Sequence, residues 1–331
     1  MMKRREWIQA AGLAGFALIK AQSSWAQTPS SVLKIINGFP PGGVVDAVAR
    51  RLAEGLAADG PWRSVMVENR VGAGGRIAVS AVKAAAPDGN TLLLSPDAVL
   101  SLYPFVYSKL DYDPFKDLVP VGTVATTTDA LALGPLVPAS VRDLRGFLDW
   151  AKAHPEHASF GSPGNGTPLH LLGALVAKDA GVELRHIAYR GAAPGVADLM
   201  GGQIACMAAP TGTFLSLQAQ GRLRLIATSG QQRSAFAPDT STFAEQGFAA
   251  EYPSDEQWFG VFAPSGVPAE TVSRIHQATA EVVNRKAFAQ ALAPLGLEAK
   301  SLTPKSMSAS LRKQHETWQG VVRRVGFTAQ S

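Results

Sequence analysis

Cysteine is all but absent: Cys206 is the single thiol among 331 residues, which excludes an internal disulfide. It lies in the apolar run Ile204-Ala-Cys-Met-Ala-Ala209, which reads as a buried strand, so an inert core thiol is expected rather than a nucleophile. Long apolar runs are missing as well. Ala10 to Ile19 is too short for a membrane span, and no later stretch reaches about 18 uninterrupted apolar residues, so the mature chain is expected to be soluble. Cationic blocks are absent beyond short pairs such as Arg323-Arg324, and no nucleic-acid partner is expected despite a pI of about 9.4. The histidines at 154, 157, 170, 186, 276 and 315 form no ligand array. His154-Pro-Glu-His157 is the one close pair, with no third ligand at usable spacing, so no metal is expected.

What is present begins with an export signal. Lys3-Arg4-Arg5 is a basic start, Ala10 to Ile19 an apolar run and Ser24-Trp25-Ala26 a small-x-small cleavage site, so residues 1–26 read as a signal peptide and the destination as the periplasm. Arg4-Arg5-Glu-Trp-Ile-Gln also resembles the twin-arginine signal, with Trp-Ile where Phe-Leu is usual. Cleavage removes Lys3, Arg4, Arg5 and Lys20 against Glu6 alone, so the net charge of +5 falls to about +2. Roughly 305 mature residues exceed what one core usually supports, and two domains are the default.

Strand and helix patterns alternate through the mature chain. Val32–Ile36 reads as a strand, Val44 to about Ala58 as a helix, Val65–Val67 as a strand, Gly72 to about Ala86 as a helix and Thr91–Leu94 as a strand. This βαβαβ order marks an α/β fold with a mostly parallel sheet. A second set follows: a strand at Leu131–Leu133, a helix at Val141–His154, a strand at Ser159-Phe160, and a helix at Thr167–Lys178 with Thr167 as its cap and Pro168 in its first turn. Strands are expected at His186–Tyr189, Ile204–Ala208, Leu223–Ala227 and Trp258–Ala263. Helices are expected at Pro194–Met200, Pro268–Asn284, after Lys286, and at Pro304–Val325.

Three glycine-rich turns open helices: Phe39-Pro-Pro-Gly-Gly-Val-Val-Asp46, Glu68-Asn-Arg-Val-Gly-Ala-Gly-Gly75 and Ser159-Phe-Gly-Ser-Pro-Gly-Asn-Gly-Thr-Pro168. Unpaired N–H groups at a helix start carry the positive end of its dipole, so such turns can hold an anion without a cationic side chain. Neither Gly72-x-Gly74 nor Gly164-x-Gly166 completes a dinucleotide fingerprint, since Ile77 and Leu169 replace the third glycine, and no Walker sequence occurs; no cofactor is expected. A serine hydrolase is the enzymatic alternative, with Ser162 in a strand-to-helix turn and His170 nearby, but Phe160 stands where the nucleophile elbow needs glycine. Asp111 with Asp113, and Asp255-Glu256, read as surface charge rather than acid/base couples. Asp46 lies in the first turn of its helix, where it either braces the Gly42-Gly43 turn or contacts the ligand; the brace is favoured, because a bare carboxylate repels an anion.

These segments, with Ala86-Pro-Asp-Gly-Asn-Thr-Leu92, Tyr112-Asp-Pro-Phe-Lys-Asp-Leu-Val-Pro-Val121, Tyr189-Arg-Gly191, Gly201-Gly-Gln203 and Trp258-Phe-Gly-Val-Phe-Ala-Pro264, resemble the periplasmic solute receptors of tripartite tricarboxylate transporters, the Bug proteins. Ala188 and Asn90 depart from the usual Pro and Tyr. The resemblance implies a type II periplasmic binding protein fold with two lobes, each built on a mostly parallel sheet, and a ligand cleft between them. It gives lobe one as 27–125 and 229–331, lobe two as 126–228, and hinge crossings near Val124–Thr128 and Ala227–Gly230. It also implies a monomer that is not an enzyme and captures a small carboxylate for a membrane transporter or, alternatively, for a sensor kinase. Carried over by position, the ligand-binding residues are Pro41, Gly42, Gly43, Asp46, Gly72, Ala73, Gly74, Gly75, Ser95, Ser162, Gly164, Asn165, Gly166, Thr167, His170, Tyr189, Arg190 and Gly191. Arg190 is the leading cationic candidate and Arg76 the second, each with solvated rim charge as its alternative. Closure implies a ligand that touches both lobes.

Overall fold

The computed structural model describes residues 32–249, 252 and 257–328. The expected signal peptide and the Asp255-Glu256 pair lie outside the described residues. Two sheets organise the chain. The first contains β1 (Val32–Asn37), β2 (Ser64–Asn69), β3 (Thr91–Pro96), β4 (Leu118–Thr127), β10 (Gln257–Pro264) and β11 (Glu298–Ala299), in the order β11-β4-β10-β3-β1-β2. The second contains β5 (Asp129–Leu133), β6 (Ser159–Ser162), β7 (Arg185–Ala188), β8 (Cys206–Pro210) and β9 (Arg224–Thr228), in the order β7-β6-β8-β5-β9. The result is the two-lobed α/β fold that the resemblance implies.

The parallel character holds for β2-β1-β3 and for β7-β6-β8, where helices return the chain to the same edge. Elsewhere the pairing is antiparallel, so both sheets are mixed. The reason is the crossing: β4 carries the chain out to the second lobe and β10 brings it back, and these two strands lie side by side in opposite directions. Leu92, Leu93 and Leu94 of β3 are all buried, as expected for a strand covered by helices on both faces.

Thr128 alone separates β4 from β5. Its carbonyl accepts from the Thr211 N–H at 2.8 Å, and the two threonine hydroxyls meet at 2.7 Å. The return crossing lies later than Ala227–Gly230. Residues after Thr228 stay on the second sheet: Thr242 bridges Thr228, Gln246 Nε2 donates to the Ile226 carbonyl at 2.8 Å, and the Ala249 N–H donates to Asp179 Oδ2 at 2.8 Å. Phe243 and Phe248 hold the segment there by burying against the core. Burial, not the end of β9, fixes the crossing, and the part of 229–331 up to Ala249 packs with the second lobe.

Each lobe has a core of its own on one face of its sheet. A third core runs between the lobes, from Leu93 and Val99 to Phe160 and Leu172, joined by Met307, Leu311, Trp318 and Val321 of the helix Pro304–Val325. That helix is capped by Thr303, whose hydroxyl accepts from the Ser306 N–H, and ends at Gly326 in the left-handed region. Its last turn reaches the helix Pro168–Ala180 of the second lobe, where Arg324 pairs with Asp179 at 2.5 Å.

Candidate cleft site

A cavity of about 480 Å³ lies between the lobes. Phe39, Val44, Val45, Pro96, Val99, Tyr103, Phe259 and Leu295 wall it from the first lobe; Pro163, Thr167, Pro168, Leu169, Ala192 and Gly212 do so from the second. The hinge side supplies Thr127, Asp129 and Gln257. The wall is mostly apolar, and among the described residues that line it Asp129 is the one charged side chain.

Thr167 is the sequence-predicted site residue that lines this cavity; the others stand behind or beside the wall. Gly42 and Gly43 have committed their N–H groups, to Asp46 Oδ2 at 2.9 Å and to the Pro40 carbonyl at 3.2 Å. The next residues, Val44 and Val45, open the helix Val44–Asp59 and face the cavity. Their amides have no intrahelical acceptor. Asp46 is buried, and its Oδ2 also accepts from Arg50 Nε at 2.9 Å, while Oδ1 accepts from Asn69 Nδ2 at 2.8 Å. Burial alone raises its pKa, but the bonds from Arg50, Gly42 and Asn69 outweigh this and hold it at about 2. This carboxylate braces the turn, as its position predicts.

Gly72, Ala73, Gly74 and Gly75 form a tight turn with positive φ throughout. The Gly74 carbonyl accepts from Tyr103 Oη at 3.0 Å, so the turn backs a cavity residue rather than entering the cavity. The following helix starts at Arg76 and ends at Lys83. Arg76 bonds the Ala73 carbonyl at 2.9 Å and lies over the Tyr107 ring, away from the cavity wall. Ser95 is buried behind Pro96 and donates to the Pro96 carbonyl at 3.1 Å.

In the second lobe, Thr167 Oγ1 accepts from the His170 N–H at 3.2 Å and donates to the Gly164 carbonyl at 2.8 Å. Gly166, with φ of 68°, donates to His170 Nδ1 at 3.1 Å, and Asn165 is exposed. His170 and His186 stack with centroids 3.8 Å apart, and burial lowers both pKa values to about 4. Ser162 is fully buried; its Oγ donates to the Gly164 carbonyl at 3.0 Å and lies 2.8 Å from His186 Nε2. The Ser162 hydroxyl thus has both the Gly164 carbonyl and the His186 ring nitrogen within hydrogen-bond reach. Tyr189 Oη donates to Asp198 Oδ2 at 2.8 Å, Arg190 is exposed, and the Gly191 N–H donates to the Pro163 carbonyl at 3.1 Å. The residues flanking these, Pro163 and Ala192, line the cavity.

Phe39 and Phe259 lie inside the glycine and Trp-Phe motifs, yet their contact with the cavity was not read from the sequence. Tyr103, Leu295, Asp129 and Gln257 carry no motif, and only the tertiary structure brings them together.

Comparison with known proteins adds four findings. The tripartite tricarboxylate transporter family receptor model matches residues 48–327. Protein BugT of Bordetella pertussis is 34% identical over 303 residues, covering 90% of this chain and 90% of BugT. Among solved structures, the periplasmic binding protein BugD is 27% identical with a TM-score of 0.78, covering 91% of this chain and 100% of BugD. An R. palustris protein solved with adipate is 26% identical with a TM-score of 0.81, covering 91% and 99% of the two chains.

Proposed function

This chain belongs to the tripartite tricarboxylate transporter receptor family, and from that premise we propose that it captures a small carboxylate between its lobes in the periplasm and hands it to a membrane transporter. The carrying observation is that two helix starts, one from each lobe, open onto the same cavity: Val44 and Val45 on one side, Thr167, Pro168 and Leu169 on the other. Each start presents about half a positive charge, and a mostly apolar cleft that closes on the ligand makes such partial charges count for more than they do in water. The Val44, Val45 and Leu169 amides are free by helix geometry, so an acid can be held by main-chain donors from both lobes. The R. palustris neighbour with adipate supports the ligand class.

Release follows from the same geometry. A ligand that bridges the lobes favours the closed form only by the contacts it makes there, and a transporter that separates the lobes removes them. The family and its structural neighbours are solute-binding proteins, and Phe160, standing where a nucleophile elbow needs glycine before Ser162, favours a receptor without turnover.

Isothermal titration against mono-, di- and tricarboxylates and their amides tests the reading. Heat is expected from free acids and not from the amides. Binding confined to sugars or cations sinks the proposal.

A further inference from the structure

Asp129 opens β5 just after the chain has crossed the hinge, and it lines the cavity. It is 1% exposed. Its Oδ2 accepts from Tyr252 Oη at 2.5 Å and from Gln257 Nε2. Its Oδ1 has no hydrogen-bond partner among the described residues. A buried carboxylate oxygen without a donor is costly, and a structure retains it where something else supplies the donor. A second acid stands close behind: Asp97 is buried at the start of the helix Ala98–Ser101 and accepts from the Ala98 N–H at 2.8 Å, and burial, with the Asp129 charge adding to it, pushes its pKa up to about 7. Among the described residues, no Lys, Arg or His lines the cavity to offset Asp129.

We propose that Asp129 is a specificity-determining acceptor, with Oδ1 taking a hydrogen bond from a hydroxyl or ammonium group at the far end of the ligand. The solute is then a monocarboxylate with an apolar body and a terminal donor, not a di- or tricarboxylate. This rests on the reading that the cleft takes a carboxylate. The apolar body meets Phe39, Val99, Phe259 and Leu295, while a second carboxylate on the ligand is repelled by Asp129 in a medium that screens charge poorly. Burial raises the pKa of Asp129 to about 6 against the opposing bonds from Tyr252 and Gln257, so at pH 7.5 it is ionised and accepts only.

The test is titration at pH 7.5 with hexanoate, 6-hydroxyhexanoate, 6-aminohexanoate and adipate, on the wild type and on Asp129→Asn. For the wild type, one of the two donor-ended acids is expected to bind at least about tenfold tighter than hexanoate, with adipate weakest. In Asp129→Asn the side-chain oxygen still serves Tyr252 and Gln257, which turns an amide N–H toward the ligand. The donor advantage then disappears and adipate gains at least about tenfold over its wild-type affinity. Adipate or hexanoate binding the wild type as tightly as the donor-ended acids overturns the inference and leaves the carboxylate reading intact; so does an unchanged ranking in a folded variant. If the variant does not fold, the wild-type ranking decides alone. Silence from all four and from the wider panel removes both readings.

Discussion

Asp46 shows how one carboxylate organises the approach to the cleft. It takes a backbone N–H from its own turn, a guanidinium one helical turn later and an amide from β2, and that amide also bonds the Phe39 carbonyl at 2.9 Å. Phe39 therefore owes its place on the cavity wall to a network centred on Asp46. Asp46→Ala is expected to lower stability by about 2 kcal/mol in urea melts at pH 7, because the Gly42 N–H and Asn69 amide lose a buried acceptor. The sign of the pH dependence follows from the lowered pKa. The carboxylate's contribution is complete above the usual value of 3.8 and is lost as pH falls toward about 2. The gap between wild type and variant should narrow over that window, and a gap that stays constant down to pH 2 would falsify the brace. The brace and its position in the first helical turn were legible in the sequence. Asn69 was not, because its contact with Asp46 spans two elements.

At the scale of elements, legibility tracked how local the cause was. The helix Pro304–Val325 and the Thr167 cap follow from cap, proline and glycine chemistry within a few residues, and the structure has both where the sequence puts them. β4 is not legible in the sequence because Pro120 and Gly122 interrupt its pattern. Pro120 is tolerated because it faces Phe262 at a register irregularity in the β4–β10 ladder. The packing of the first two glycine turns is likewise non-local. A Cβ on Gly38 would stand 2.4 Å from the Gly75 Cα, so the residue after β1 touches the end of the Gly72–Gly75 turn backbone to backbone. Gly38→Ala is expected to cost about 2 kcal/mol or more, since neither backbone can yield. Gly320→Ala, on an exposed helical face with open space around it, is expected to add up to about 1 kcal/mol. Parallel chemical melts of the two variants check the contrast; equal midpoints would count against a rigid contact between these turns.

For the whole molecule, most of the cavity wall comes from residues that carry no motif, with Thr167 the one expected site residue in its lining. Glycine turns were expected to offer their own amides, but those of Gly42, Gly43 and Gly166 are bonded within their own turns, and the residues that follow, Val44 and Thr167, line the cavity instead. Phe39, Tyr103, Phe259 and Leu295 look like ordinary core residues in one dimension, and only the way two lobes face each other makes them a wall. The closeness of that approach is set at one point. A Cβ on Gly212 would lie 2.0 Å from the Leu295 carbonyl oxygen and 3.1 Å from the Gly296 Cα, so the lobes meet main chain to main chain at the edge of the cavity. The obstruction to a side chain there comes from the opposite lobe, so Gly212→Ala should leave each lobe folded and prop the pair apart. The expected result is a variant that keeps its secondary structure by circular dichroism and shows at least about a tenfold loss of affinity for whichever acid the titrations identify, because the ligand can no longer reach both lobes. Small-angle scattering should show the wild type contracting when ligand is added and the variant keeping its unliganded radius of gyration. Wild-type affinity and contraction in Gly212→Ala would mean that closure does not pass through this contact.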